Sequence, residues 1–245
     1  MNFTTIQQAR AWSVHLYTAM GGILGMFALF SAAEGNIRQA FLLLVVCMLI
    51  DATDGILARR FKVRTVLPNF DGAMIDNVID MLTFVWIPVF IMWQEALLPS
   101  VFWLIVPMMA GIYAYGQVNM KTVDNFFLGF PSYWNIIALY LFLLKPPAII
   151  AILMLVIPAI LTFIPTRYLY PSKNYVFWQV TWALGAVWFL MLFVLLAQTV
   201  PNPNLVLISL FYPAYYMLMS FYIEWRIRRS DDTVKMTDAT DANPA

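Results

Sequence analysis

The sequence predicts an all-α, polytopic membrane protein with about eight transmembrane helices, and two observations support that fold class. Of the 245 residues, 62% are hydrophobic and 11% are charged, whereas soluble domains average about 45–50% and about 25%. Residues 174–222 contain no charged side chain, and neither do residues 146–166. Since a helix needs about 20 apolar residues to cross a bilayer, neither stretch fits a soluble fold.

The first four predicted spans are apolar runs that end at polar residues. The first ends before Glu34 and lacks a strongly basic start, so we expect a retained span rather than a cleaved signal. The second ends at a basic cluster, the third before Glu95, and the fourth before Lys121. These spans are residues 11–33, 37–59, 70–94 and 100–118.

Prolines and polar residues divide the second half of the chain. Pro146 and Pro147 separate spans five and six, since a proline pair cannot continue a helix, and we expect a tight hairpin there. The four spans are residues 131–145, 147–165, 175–199 and 204–223. One membrane domain, residues 1–229, precedes an aspartate-rich tail without aromatic residues, residues 230–245, which we expect to be disordered.

The basic residues predict the orientation. An even number of spans places both termini on one side of the membrane. Of the 14 Lys and Arg residues, all except Arg38 and Lys145 fall on that side, so the positive-inside rule makes both termini cytoplasmic. The basic face suits anionic lipid headgroups, and no nucleic-acid partner is expected.

Four aspartates dominate the polar chemistry of this apolar chain. Charged groups at membrane depth cost several kcal/mol unless they are paired, hydrated or bound to metal, so a cluster of them predicts a functional site. The residues follow the pattern D-x2-D-G-x2-A-R-x12-G-x3-D-x3-D, namely Asp51, Asp54, Gly55, Ala58, Arg59, Gly72, Asp76 and Asp80.

Helical spacing predicts that these carboxylates converge. Asp51 and Asp54 lie at i and i+3 on the second span, and Asp76 and Asp80 lie at i and i+4 on the third. Four adjacent carboxylates repel one another unless divalent cations bind. The single Cys47 and the lack of a His/Cys cluster leave oxygen ligands, which Mg2+ prefers. Two such ions could clamp a pyrophosphate.

Three small residues lie among the acids. Gly55, Ala58 and Gly72 leave room for a planar base or a sugar beside the helix backbones. Small residues also let helices pack closely in lipid. Both interpretations stay open for each residue.

The eight-residue pattern resembles the signature of the CDP-alcohol phosphotransferase family, integral membrane enzymes that join an alcohol to the phosphatidyl group of a CDP-linked lipid. Most members have about eight residues between the Arg and the second Gly, whereas this chain has twelve, residues 60–71. The longer gap is typical of the bacterial phosphatidylcholine synthase branch. Segments 11–33, 124–135 and 165–173 are also similar to that branch.

The resemblance implies a reaction and a set of roles. The choline hydroxyl would attack CDP-diacylglycerol directly and form phosphatidylcholine and CMP. Asp51, Asp54, Asp76 and Asp80 would hold two Mn2+ or Mg2+ ions, and Asp80 would also act as the general base. Gly55, Ala58 and Gly72 would line the cytidine pocket. The resemblance also suggests a homodimer in the bacterial inner membrane, with the active site on the cytoplasmic side.

Other residues are candidates for contacts with the two substrates. Basic groups can bind the phosphates of the CDP-lipid, and topology or headgroup contact is the alternative role. These candidates are Arg59, Lys121, Arg167 and Lys173. Choline has a quaternary ammonium that aromatic faces and a nearby carboxylate recognise, although aromatic residues also concentrate at membrane interfaces. The choline candidates are Tyr113, Tyr115, Asp124, Tyr133 and Trp134.

Two alternatives remain. Another alcohol, such as inositol, glycerol phosphate or serine, could replace choline, but anionic acceptors would require more basic residues near the acids. A cation or proton transporter could also use intramembrane acids. The acids here gather near one membrane face rather than along a route across the bilayer, which favours the enzyme.

Overall fold

The computed structural model describes residues 3–122, 124–172 and 177–241, with side chains described as far as residue 229. Helices predominate because a chain in lipid must satisfy its backbone polar groups internally. The helices are α1 (Thr5–Ala33), α2 (Ile37–Arg60), α3 (Val63–Val66), α4 (Gly72–Asp80), α5 (Ile87–Gln94), α6 (Ile105–Gly116), α7 (Trp134–Leu144), α8 (Ala148–Phe163), α9 (Trp178–Ala197), α10 (Pro203–Ser209) and α11 (Phe211–Asp241).

Helical segments coincide with the predicted apolar runs. Within the part of the chain that the structure describes, five of them are long and apolar enough to cross a membrane: Thr5–Ala33, Ile37–Arg60, Gly72–Gln94, Trp178–Ala197 and Pro203–Arg229. Three shorter apolar segments are Val101–Gly116, Trp134–Leu144 and Ala148–Phe163. The chain is therefore a mostly helical, multi-pass membrane protein, while the number eight and the side of the termini stay predictions. The predicted division at residue 230 also stays a prediction, although helix α11 continues past that residue to Asp241.

The third apolar run is a composite helix. Between α4 and α5, residues Met81–Trp86 form a π-helical segment. Pro88 lacks an N–H group and its ring excludes regular pairing with the Phe84 carbonyl, which explains the widened turn. The hydroxyl of Thr83 donates to the Ile79 carbonyl at 2.9 Å. The π segment separates the turn that bears Asp80 from the apolar half of the span.

Another proline interrupts the last apolar run, which the sequence predicts as one span, 204–223. The structure divides it at Leu210 into α10 and α11. A proline at position 213 cannot donate to the carbonyl of Ser209, four residues earlier. That carbonyl instead accepts a hydrogen bond from Tyr140 at 3.0 Å. The break therefore anchors α10 to α7.

A small sheet joins two connecting loops, although the sequence predicts helices alone. Strand β1 (Phe126–Leu128) pairs antiparallel with β2 (Arg167–Leu169), in the register Phe126 to Leu169 and Leu128 to Arg167. Backbone groups in loops pair where no helix satisfies them. The sheet fixes the loop between α6 and α7 against the loop between α8 and α9.

The N-terminal helices position the acids. Helix α1 packs along α2 and against α4, and its Gly21 and Gly22 contact Ile79 without an intervening side chain. Such small residues allow close helix approach in lipid. The extra connection between α2 and α4 contains α3, whose Val63 and Val66 pack against α1 in a separate apolar cluster.

Candidate active site

The four signature aspartates line one cavity of about 130 Å3. Helix α2 supplies Asp51 and Asp54, and α4 supplies Asp76 and Asp80. Their i, i+3 and i, i+4 spacings place each pair on one helix face, and the turn between the helices brings the faces together. Asp54 and Asp80 are buried, at 7% and 9% exposure.

Three of the four acids form a potential metal site. Asp51, Asp76 and Asp80 each offer a carboxylate oxygen, and the three oxygens lie within 4.8 Å of one another. The donor set consists of carboxylate oxygens, which suits a hard divalent cation. Asp54 is engaged differently, since its Oδ2 accepts a hydrogen bond from Thr18 at 2.8 Å.

Lys121, one of the phosphate candidates, lies beside the acids and lines the cavity. Its Nζ lies 3.6 Å from Oδ2 of Asp76 and 5.9 Å from the ring centre of Tyr170. Burial lowers the pKa of Lys121, but Tyr170 and Asp76 raise it by more, so its pKa lies above the ordinary value. The loop therefore presents a cation to the cavity.

Aromatic side chains form much of the opposite wall. Tyr115 and Tyr133, two of the choline candidates, line the cavity together with Tyr170 and Trp182. Tyr170 stacks on Phe127 with ring centres 4.3 Å apart. The indole nitrogen of Trp182 donates to the Pro171 carbonyl at 3.2 Å.

Tyr170 and Trp182 are site residues that the sequence does not predict. Tyr170 lies in the 165–173 segment that resembles the synthase branch, so that segment offered a signal. Trp182 lies inside an apolar run, where no spacing marks it.

Three choline candidates lie away from the cavity. Tyr113 contacts Phe163, with ring centres 4.4 Å apart. Trp134 is fully buried in an apolar cluster. Asp124 pairs with Arg167 at 3.2 Å. Their roles in choline binding stay predictions, and their distance from the cavity does not support those roles.

Arg167 belongs to a clamp between β2 and α11 that the sequence analysis also missed. Glu224 is 6% exposed, accepts from the backbone N–H of Arg167 at 3.2 Å, and pairs with Arg228 at 2.6 Å. Burial and then Glu224 raise the pKa of Tyr168 to about 12. These contacts hold the strand in place, and the predicted phosphate contact of Arg167 stays a prediction.

The remaining signature residues divide between the cavity and packing. Gly55 lines the cavity, and Arg59 donates to the Ser172 carbonyl at 2.8 Å, which ties the signature to the loop after β2. Ala58 packs in the α3 cluster. A Cβ atom on Gly72 would overlap the ring of His15. Lys173 lies outside the described residues.

A second, larger chamber adjoins the cavity that the four aspartates line (the acid cavity). Its volume is about 590 Å3, and its walls come mainly from α2, α7, α9 and α11. Its lining is mostly apolar. The residues that line both spaces are Asp51, Ala52, Phe84, Phe130, Tyr133, Pro171 and Trp182. A ligand with a charged end and an apolar end could occupy both.

Known proteins resemble this chain over most of its length. The family model described as CDP-alcohol phosphatidyltransferase matches residues 15–223. A phosphatidylcholine synthase of Pseudomonas aeruginosa is 33% identical over 232 residues, which cover 94% of this chain and 97% of that protein. One of Legionella pneumophila is 35% identical over 233 residues, covering 90% and 91%. One of Borreliella burgdorferi is 29% identical, covering 89% and 96%.

Proposed function

Because this chain belongs to the CDP-alcohol phosphatidyltransferase family, we propose that it transfers the phosphatidyl group of CDP-diacylglycerol to choline, forming phosphatidylcholine and CMP. The chain is thus a membrane-bound phosphotransferase. Relatives named phosphatidylcholine synthase support choline as the acceptor.

One structural observation carries the proposal: the acid cavity and the apolar chamber share a wall of seven residues. CDP-diacylglycerol has a charged pyrophosphate and two acyl chains, so its reacting phosphorus lies where a polar space meets an apolar one. The shared wall, which includes Asp51 and Tyr133, supports that placement. A transporter of small cations has no need of such a chamber.

In the proposed reaction, the choline hydroxyl oxygen attacks the phosphorus that bears diacylglycerol. A new oxygen–phosphorus bond forms, the pyrophosphate bond to CMP breaks, and the bond electrons leave with CMP. Asp80 accepts the hydroxyl proton as general base. Lys121 lines the cavity and can contact a phosphate oxygen there, whereas Arg59 holds the Ser172 loop.

The carboxylates fit divalent cations, and we propose two ions, Mn2+ or Mg2+. Asp51, Asp76 and Asp80 would hold them, with Asp54 oriented by Thr18 at the edge of the group. The ions would supply charge neutralisation at the pyrophosphate. Gly55, which has no side chain, would leave space for the nucleotide beside α2.

Tyr115 and Tyr133 are proposed to bind choline, joined by Tyr170 and Trp182. A quaternary ammonium has no hydrogen-bond donor, so aromatic faces and neighbouring carboxylates are its natural partners. These rings line the same cavity as the acids. An anionic acceptor would meet Lys121 as the one basic side chain among the described lining residues.

The membrane arrangement is also proposed. Eight spans, with the three shorter apolar helices crossing together with the five long ones, would place both termini and the acid cavity on the cytoplasmic side of a bacterial inner membrane. Choline and CMP could then exchange with the cytoplasm while the lipids stay in the bilayer. A homodimer is proposed from the family resemblance.

The assay of acceptor use tests this function. Purified protein with Mn2+, CDP-diacylglycerol and labelled choline is expected to yield labelled phosphatidylcholine and equimolar CMP. Serine, inositol and glycerol phosphate serve as competing acceptors under the same conditions. Turnover with one of them and none with choline would contradict the proposal. Choline uptake into liposomes without CDP-diacylglycerol would instead favour the transporter.

A further inference from the structure

Ser132 lies in the wall of the acid cavity and carries a buried hydroxyl that forms no hydrogen bond among the described residues. Its side chain is 1% exposed and lines the cavity. Its Oγ atom has no hydrogen-bond partner among the described residues. Burying an unpaired hydroxyl destabilises the folded state, so folding alone does not account for serine at this position.

The backbone of Ser132 is satisfied, which isolates the hydroxyl as the unpaired group. Its N–H donates to the Phe130 carbonyl at 2.9 Å, and its carbonyl accepts from the N–H of Trp134 at 2.7 Å. Ser132 also has a φ of +56°. This left-handed conformation suits Gly or Asn better than Ser, so the backbone does not explain the side chain either.

The loop holds Ser132 firmly in this position. Gly129 has a φ of +80°, and a Cβ atom there would overlap the carbonyl of Thr162. The N–H of Gly129 donates to the Thr166 carbonyl at 2.9 Å, and the N–H of Phe130 donates to Leu161 at 3.2 Å. The backbone that carries the hydroxyl is therefore held in place before any ligand binds, which lowers the cost of ordering a binding group.

Other buried polar groups lack this combination. Among the described residues, Ser132 is the one unpartnered buried group that also lines the acid cavity. The other unpartnered atoms belong to His15, Arg38, Trp134, Asn135 and Tyr168.

We propose that the Ser132 hydroxyl donates a hydrogen bond to a non-bridging phosphate oxygen of the CDP-linked donor, an inference that rests on the proposed function. Phosphate oxygens carry the negative charge that makes such a bond strong. Donation to the choline oxygen would draw electron density from the nucleophile and oppose its attack. Ser132 is thus a substrate-contacting residue for the donor.

Two variants remove the hydroxyl, and they differ in how readily their backbone adopts the left-handed conformation. Ser132→Ala keeps the Cβ atom, and Ser132→Gly relieves the left-handed strain. For both we expect kcat/KM for CDP-diacylglycerol to fall about 10- to 100-fold, the range for a lost hydrogen bond to a charged group. The KM for choline should stay unchanged. The rise in melting temperature that CDP-diacylglycerol causes should shrink in both.

Ser220→Ala is the matched control. Ser220 is fully buried, but its Oγ donates to the Tyr216 carbonyl at 2.7 Å and accepts from the N–H of Leu169 at 3.1 Å. This variant should lower the melting temperature without ligand, whereas Ser132→Ala should not, because its hydroxyl holds nothing within the protein.

Wild-type turnover separates the two proposals. If the wild type fails to convert CDP-diacylglycerol and choline, the proposed function itself is wrong. If the wild type is active and both Ser132 variants keep its kcat/KM for the donor, the donor contact is wrong. A selective rise in the KM for choline would also overturn it, by placing the hydroxyl on the acceptor.

Discussion

His15 lies against the backbone of Gly72 and fills the space in which any other residue would carry its Cβ atom. The ring also contacts Phe70, with centres 4.4 Å apart. The sequence left Gly72 open between a nucleotide pocket and helix packing. The contact with His15 favours packing, since it locks α1 to the first turn of the helix that bears Asp76 and Asp80.

Gly72→Ala tests that interpretation. The added methyl group must displace His15, and overpacking of this kind costs about 1–3 kcal/mol, so activity and thermal stability should both fall. The double variant Gly72→Ala with His15→Ala should regain most of both, measured by turnover and melting temperature. Gly116→Ala, where a Cβ atom meets nothing within 4 Å, is the neutral control. A double variant as inactive as Gly72→Ala would favour the nucleotide role.

Asp80→Asn should abolish turnover while the protein still folds and binds its donor. The amide keeps the size of the carboxylate but cannot accept the choline proton, and general-base catalysis contributes about 10²- to 10⁴-fold. Single-turnover kinetics and donor binding measure the two effects separately. Glu34→Gln also replaces a carboxylate by an amide, but at an exposed acid, and it should leave turnover unchanged. Near-normal turnover in Asp80→Asn would exclude Asp80 as the base.

Glu224→Gln should weaken the clamp between β2 and α11. The buried carboxylate contacts both Arg167 and Arg228, so its neutralisation should lower the free energy of unfolding by about 1–3 kcal/mol. Thermal unfolding in detergent measures the loss. Arg228→Met should cost much less, because Arg228 is mostly exposed and surface pairs contribute about 0–1 kcal/mol. If Glu224→Gln were as stable as the wild type, Glu224 would not stabilise the clamp.

Ala186→Phe should narrow the apolar chamber. Ala186 lines it from α9, and a phenyl ring would occupy space otherwise available to an acyl chain. Turnover of a long-chain CDP-diacylglycerol should fall several-fold more than turnover of a short-chain one. Ala183 lies on the same helix but does not line the chamber, so Ala183→Phe should affect both donors equally. Equal losses in Ala186→Phe would exclude the chamber as an acyl site.

The acid cavity could be predicted because its residues follow local geometry. Helical periodicity alone places Asp51 beside Asp54 and Asp76 beside Asp80, and hydropathy alone locates the helices. The predicted positions of the helix ends are less accurate. Helix α1 begins at Thr5 rather than residue 11, because Thr4 and Gln7 form a capping box on a polar first turn.

The places of Tyr170 and Ser132 in the site could not be predicted, because they depend on pairing between distant segments. Tyr170 reaches the cavity through the β1–β2 pairing, and the left-handed backbone of Ser132 depends on Gly129 meeting the end of α8. Asp124 and Arg167 were both expected at the substrates. They lie at the same interface with opposite charges, and so they pair with each other.

The short helix α3 has a consequence for protein engineering. Its valines pack against Ala11 and Val14 of α1, apart from the carboxylates. The connection between the two halves of the site is therefore held against α1 by apolar packing and not by the carboxylates. Residues can be added or removed there without changing the spacing inside either aspartate pair, which makes it a suitable place to graft a tag or a fluorescent reporter.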